Sequence, residues 1–428
     1  MNFKTIIISI AFLSTISLSE VYDGYTLYTP GGGGGNATTY LKDSDWNTIN
    51  TWSHDCGAAS MPYLVRGEEP GIENSLLYYP CQNNNPIMQT GGVGGQVKIY
   101  NWDGDLLWSY TISGIISGAT SNNGMQHHHD IEPLPNGNVL VIAWERLYSS
   151  EWQSLGVSSV NNNLNQMWSS AILELEPNLD NGSTEIVWEW YLKDHLVQDY
   201  NSSLDNYGVI SEHPERININ IGEMPLLALG YADWTHINSV DYNEELDQII
   251  ISSRNLNEIY VIDHSTTTEE AAGHFGGNSG MGGDILYRWG NPSNYGISAN
   301  QVIPNAVHDS RWIPNDGRPN GGFLQIFNNS GGGNGQSTVD GIETPWDSLT
   351  NTYTRVPGQA FEPMSYSTRY MCQYSAGGQS ASDRMSNGNI FVNASGGQGG
   401  AGVMYEVDQN DNIIWGPYNA QSQKGFRY

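Results

Sequence analysis

Four segments of the chain share one pattern, and that pattern constrains the fold more than any other feature. HDIEPLPNGNVLVIA from His129, HINSVDYNEELDQIIIS from His236, HDSRWIPNDGRPNGGFLQIF from His308 and SDRMSNGNIFV from Ser382 each read as a strand, a polar turn and an apolar strand. Three of the four begin with His. A second kind of hairpin alternates with the first: VKIYNWDGDLLWSY, ILELEPNLDNGSTEIVWEWY, IYVIDHS with GDILYRWGN, and YEVDQNDNIIWGPY. Each has an acidic or Asn-rich turn and a late Trp, and Asp103-Gly104 is a strong hairpin signal. Two hairpins make a four-stranded unit. The starts at 236, 308 and 382 lie 72 and 74 residues apart (308 − 236 and 382 − 308), which suits one four-stranded blade with long loops. The 107 residues between 129 and 236 require an insertion, expected at residues 196–229, where strand alternation lapses. A radial array of such sheets is a β-propeller, whose innermost strands line a central channel.

Composition agrees with an all-β chain. Gly 50, Trp 14 and Tyr 25 among 428 residues, with only 14% charged, describe aromatic strands joined by tight turns. Lys+Arg 16 against Asp+Glu 45 gives 16 − 45 = −29, a field that repels nucleic acid and anionic membranes, so no nucleic-acid partner is expected. Any anionic substrate must then be met by the few basic residues gathered at one site.

The first residues read as a secretory signal peptide over 1–19. Lys4 precedes an apolar run over residues 6–18, and the small residues Ser17 and Ser19 stand at the −3 and −1 positions of a cleavage after Ser19. The run is short for a membrane span and no later segment approaches that length, so an exported protein with no membrane span is expected, periplasmic or secreted. In an oxidising compartment Cys56 and Cys81 can close a short loop, leaving Cys372 over as a buried thiol or one whose partner lies beyond Tyr428. The rest, 20–428, is expected to form one propeller domain, with the strands of residues 20–58 helping to close the ring. The glycine run at residues 31–35 lacks the GKS or GKT ending of a phosphate loop and reads as a connection.

Equivalent positions of successive blades surround one axis, so His129, His236 and His308 should converge on one mouth of the channel. The alternative, that each His fixes a neighbouring blade, accounts less well for three at one repeat position. His128 is expected near the mouth and ranks above His127. His54, His195, His213, His264 and His274 fall outside the repeat and read as surface or packing residues, while Asp130 and Asp309 read as groups that cap turns or hold neighbouring blades. The stretch DWTHINSVDYNEELDQIIISSRN, residues 233–255, is a hairpin that brings His236 and Arg254, 254 − 236 = 18 residues apart, to one end. A guanidinium beside an imidazole makes a site for a phosphate-like or sulfate-like anion.

HHDIEPLPNGNVLVIAWE from His128, DWTHINSVDY followed by IIISSR, GDILYRWGNP from Gly283 and VHDSRWIPN from Val307 resemble the bacterial aryl-sulfate sulfotransferases (arylsulfotransferase, ASST) over most of the chain after the signal peptide. The resemblance implies a six-bladed β-propeller with four-stranded antiparallel blades around a central channel. It implies transfer of a sulfuryl group from a phenolic sulfate donor to a phenol acceptor through a sulfated histidine, with no metal, cofactor or nucleotide sulfate donor. Carried over by position, His308 is the nucleophile, His236 and Arg254 bind the sulfuryl oxygens, His129 is the remaining active-site histidine and Asn238 lies near the sulfuryl group, with His128 also in the substrate-binding set. The base that takes the acceptor's proton is His129 or His236. Two other readings stay open: a hydrolase in which His129, His236 and His308 hold zinc, and a non-catalytic propeller that binds a sulfated or aromatic ligand. The sequence leaves monomer and homodimer open.

Overall fold

A computed structural model describes residues 20–31, 35–67, 69–160, 162–221 and 232–428. The segment read as a signal peptide and residues 222–229 of the expected insertion lie outside the described residues.

The sheets form a six-bladed β-propeller of antiparallel four-stranded blades. Five blades run outward from their first strand: Tyr63–Val65, Gly124–Pro133, Ile237–Asn243, Val307–Trp312 and Ala381–Arg384. The sixth closes the ring. Its inner strand is the C-terminal Ser422–Arg427, hydrogen-bonded to Thr26–Pro30, followed outward by Ala37–Lys42 and Thr48–His54. Both ends of the described chain therefore share one sheet, which removes the open edge that a radial array would otherwise leave. The blade that starts at Gly124 carries a short extra strand, Ser113–Ile115, beside its inner strand. Residues 192–221 form two 3-10 turns and a two-residue parallel pair, Leu196–Val197 with Ile217–Asn218, rather than a blade. Among the described residues, no helix is long and apolar enough to cross a membrane.

The late Trp of each outer hairpin has a structural reason. Trp108 donates its indole N–H to Thr184 Oγ1 at 2.9 Å, Trp190 to the Gly283 carbonyl at 2.7 Å, Trp289 to the Pro363 carbonyl at 2.7 Å and Trp415 to the Ser44 carbonyl at 2.6 Å, in each case on the next blade. In the closing blade, Trp52 donates to the Asn101 carbonyl at 2.8 Å. All five rings are buried. Each fills the wedge between two sheets while its one polar atom is satisfied across the gap, which is how an aromatic with a polar tip packs best.

Candidate active site

The three repeat histidines sit on the inner strands of consecutive blades, His129 within Gly124–Pro133, His236 just before Ile237–Asn243 and His308 within Val307–Trp312, and each lies at or beside a break in the pairing. The register shifts between Val141 and Ala143 opposite His129, between Ile237 and Ser239, and between His308 and Ser310. His129, His236 and Asp309 have φ of 54°, 49° and 53°. A bulge with a left-handed residue re-aims the side chains next to it and recurs beside active sites. At this site the bulges gather imidazoles from different blades. The rings of His129 and His236 meet edge to face with centroids 4.7 Å apart.

His308 is held in one tautomer. Its Nδ1 lies 2.9 Å from the Ala306 carbonyl and 2.7 Å from Asn329 Oδ1, and both partners only accept. The Asn329 amide is oriented by its own Nδ2, which donates to the Ala376 and Gln379 carbonyls. Nδ1 therefore carries the proton and Nε2 carries the lone pair. Burial, then the neighbouring His236 and Lys424, push the His308 pKa down to about 3, so the ring is neutral at neutral pH.

His236 is oriented differently. Its Nδ1 is 2.5 Å from Asp233 Oδ2, and Asp233 Oδ1 accepts from the His236 backbone N–H and from Trp144 Nε1 at 3.0 Å. The arrangement is a carboxylate–imidazole pair with Nε2 left over. Arg254 donates its backbone N–H to the His236 carbonyl, which puts the two side by side as the hairpin reading expects. Its guanidinium touches only Asn255 Oδ1, at 3.4 Å, and has no carboxylate partner among the described residues. In a protein with 45 acidic residues, an arginine without one is available to an external anion.

His129 and His128 are enclosed. Their Nδ1 atoms are 2.9 Å apart, His128 stacks on Trp144 with centroids 4.0 Å apart, and both Nε2 atoms are buried without a partner. Burial holds both rings neutral. Gly92, at φ 79°, lies over His129: a Cβ there would sit 2.0 Å from Nε2, so only glycine fits. Asn238, expected near the sulfuryl group, is buried with its Nδ2 donating to the Val307 carbonyl at 2.9 Å and its Oδ1 accepting from Ser252. It braces the residue before His308. Strand alternation alone would put His236 and Asn238 on one face, but the bulge between Ile237 and Ser239 separates them.

Below the histidines runs a charged layer in which Asp130 and Asp309 meet Lys424, the member that the sequence reading missed. Lys424, fully buried on the closing strand, donates to Asp130 Oδ2 at 2.9 Å and to the Asn238 carbonyl at 3.1 Å, and lies 3.8 Å from Asp309 Oδ1. Asp130 also accepts from Tyr63, and Asp309 accepts from the Ser382 backbone N–H at 2.8 Å and from Arg311 at 2.6 Å. Both acids thus bridge blades. Further along the same strands, Glu132, Asp241, Arg311, Phe426 and Tyr428 line a cavity of 320 Å³ at the other end of the channel, away from His308.

Among the described residues, the sets whose donor atoms gather within 4.8 Å do not include His129, His236 and His308 together.

Solved structures similar to this chain include the periplasmic gluconolactonase PpgL of Pseudomonas aeruginosa, at 13% identity and TM-score 0.40, covering 92% of this chain and 81% of that one. The Cps50 (Swd1) β-propeller domain of Myceliophteria thermophila is similar at 10% identity and TM-score 0.39, covering 91% and 88%. Neither likeness is close enough to inform the site. No curated protein matches the sequence. The model of the arylsulfotransferase (ASST) family matches residues 86–270, the region that contains His128, His129, His236, Asn238 and Arg254. That match, over 185 (270 − 86 + 1) of the 428 residues, supports the resemblance to the arylsulfotransferase (ASST) family.

Proposed function

We propose that the chain moves a sulfuryl group from an aryl sulfate to a phenol through a sulfated His308, without a nucleotide donor. The observation that carries this reading is the state of His308: a neutral imidazole with its proton locked on Nδ1 and its lone pair on Nε2. In the first displacement Nε2 attacks sulfur, the N–S bond forms, and the S–O bond to the aryl group breaks with its electron pair leaving on the phenolate. The phenolate takes a proton from His236, whose Nδ1 faces Asp233 Oδ2. In the second displacement the acceptor phenol gives its proton back to His236, its oxygen attacks sulfur, and the N–S bond breaks to restore His308. Splitting one transfer into two is the usual gain of nucleophilic catalysis. Arg254 binds the sulfuryl oxygens, and a preorganised donor of this kind contributes about 3–4 kcal/mol to the transition state. Of the two histidines that sequence leaves open as base, His236 is favoured because it has Asp233 behind it, whereas His129 is enclosed beneath Gly92.

Release of p-nitrophenol from p-nitrophenyl sulfate, with and without added phenol and in the presence of a chelator, tests the reading. Acceptor-dependent release that disappears in His308→Ala is expected; no release from wild type with any acceptor would favour the ligand-binding propeller instead. The reading includes export, and the mature chain is expected to begin at Glu20. N-terminal sequencing of the protein recovered outside the cytoplasm checks this, and a chain there that still starts at Met1 contradicts it.

A further inference from the structure

A second constellation of histidines lies outside the channel, among residues that the repeat does not use. His195 follows the 3-10 turn Leu192–Asp194, and His274 and Asp284 lie on the glycine-rich loop that precedes the strand Ile285–Trp289. One oxygen of Asp284, Oδ1, lies 2.9 Å from His195 Nδ1 and 2.8 Å from His274 Nδ1. Each of the three residues offers a ligand atom within 4.8 Å of those of the other two. Side-chain exposure falls from 35% at His274 to 5% at Asp284 and 0% at His195.

The surroundings fix which atom His195 offers. Its Nε2 is 2.8 Å from the Ala271 carbonyl, which can only accept, so Nε2 carries the proton. Trp190 stacks on the ring at 3° and 5.4 Å and donates its own N–H to the Gly283 carbonyl. Gly283 has no room for a side chain, because a Cβ would lie 2.0 Å from the Ala271 carbonyl oxygen and 2.7 Å from His195 Nε2. The loop is therefore moulded around an imidazole whose Nδ1 lone pair faces a carboxylate oxygen at 2.9 Å. Two lone pairs at that distance require a positive charge between them, either an extra proton or a metal ion. A histidine whose far N–H donates to a backbone carbonyl is in the usual state of a metal ligand.

We propose that His195 Nδ1, His274 Nδ1 and Asp284 Oδ1 bind a divalent transition-metal ion of the zinc class, with water completing the coordination. Two imidazoles and one carboxylate are a donor set that such ions accept, and hard ions such as calcium or magnesium are disfavoured by the two nitrogens. An ion with bonds of about 2.0–2.1 Å spaces tetrahedral ligands roughly 3.3 Å apart, so the pairs now at hydrogen-bond distance open by about half an ångström. The half-exposed His274 can make that movement. It borders a cavity of 270 Å³ shared with Lys193, Asp194, Asp205 and Arg216, which supplies the water and the way in. Arg216 Nε lies 3.7 Å from the other oxygen, Asp284 Oδ2, and so balances charge behind the ligand atom. The ion ties the segment after Tyr191 to the loop before Ile285, and so two successive blades to each other. It is a clip, separate from the channel chemistry.

The test uses the full chain as purified, stripped with chelator, dialysed and titrated with Zn²⁺ and separately with Co²⁺. Expected results are one equivalent per chain, a rise in melting temperature, and visible ligand-field bands from bound Co²⁺. His274→Ala, at a half-exposed position, should fold and bind at least roughly tenfold more weakly, and Asp284→Asn, which keeps the shape of the carboxyl, should do the same. His129→Ala should bind like wild type. No uptake at millimolar metal, uptake unchanged in both His274→Ala and Asp284→Asn, or uptake lost only in His129→Ala would each overturn the proposal.

Discussion

Nδ1 of His308 and Oδ1 of Asn329 lie 2.7 Å apart, and that contact decides which nitrogen of the proposed nucleophile carries the lone pair. Asn329 ends an inner-blade hairpin 21 residues later and is itself fixed by two carbonyls of the next loop.

Asn329→Ala is expected to lower kcat for aryl sulfate turnover by about 10- to 100-fold with little change in KM, because the tautomer is freed while the anion-binding groups remain. Asn329→Asp keeps the acceptor oxygen but adds a negative charge, which favours the imidazolium. The acid limb of its pH–rate profile should move upward relative to wild type. An unchanged profile, with activity lost only in proportion to folded protein, would reduce Asn329 to a packing residue.

The depressed pKa of His308 makes a stability statement. A group held at about 3 in the folded protein, against 6.5 when unfolded, contributes stability that is present above 6.5 and is lost as pH falls through that value toward 3. Between about pH 7.5 and 5.0 the loss from this one residue is roughly 2 kcal/mol. Urea denaturation of wild type and His308→Asn at both pH values should show the variant losing less stability on acidification by about that amount. Equal losses would mean that His308 titrates normally.

Lys424→Met should destabilise the fold by about 3 kcal/mol, since it removes the cation paired with the buried Asp130. Adding Asp130→Asn should recover part of the loss, and a double variant no better than the single one would contradict the pairing. Calorimetric or denaturant unfolding reads both.

How much of this was legible in the sequence depends on the range of each contact. The hairpins, the ring of histidines and the pairing of His236 with Arg254 are local or repeat with the blades, so alternation and spacing reveal them. Asn329 follows the second strand of the His308 hairpin as Arg254 follows that of His236, but an uncharged side chain there carries no signal; Lys424 is neither local nor repeated, since it meets Asp130 across 294 residues, and its only sequence signal is being one of 16 basic residues in an acidic chain. Asp233 is only three residues before His236, yet the sequence reading did not single it out as the partner of the imidazole. Asn238, assigned by resemblance, lies beside the register shift between Ile237 and Ser239 and bonds the Val307 carbonyl, a contact that period-two alternation does not foresee.

The late tryptophans were visible as a repeat without a reason. Trp289→Phe is expected to cost about 1–3 kcal/mol, because the Pro363 carbonyl loses its donor inside a buried wedge. Denaturant unfolding measures it, and a cost near zero would leave the ring as plain filler.

The most direct test of the central claim is to trap the intermediate. The enzyme is mixed with an aryl sulfate without acceptor, quenched at high pH where an N–S bond to imidazole is expected to survive best, digested and analysed by mass spectrometry. The account predicts one added sulfuryl group on the peptide that contains His308, absent in His308→Ala and lost from wild type when a phenol is added before the quench. A sulfuryl group on another residue, or turnover with no modified peptide at any time, would contradict it.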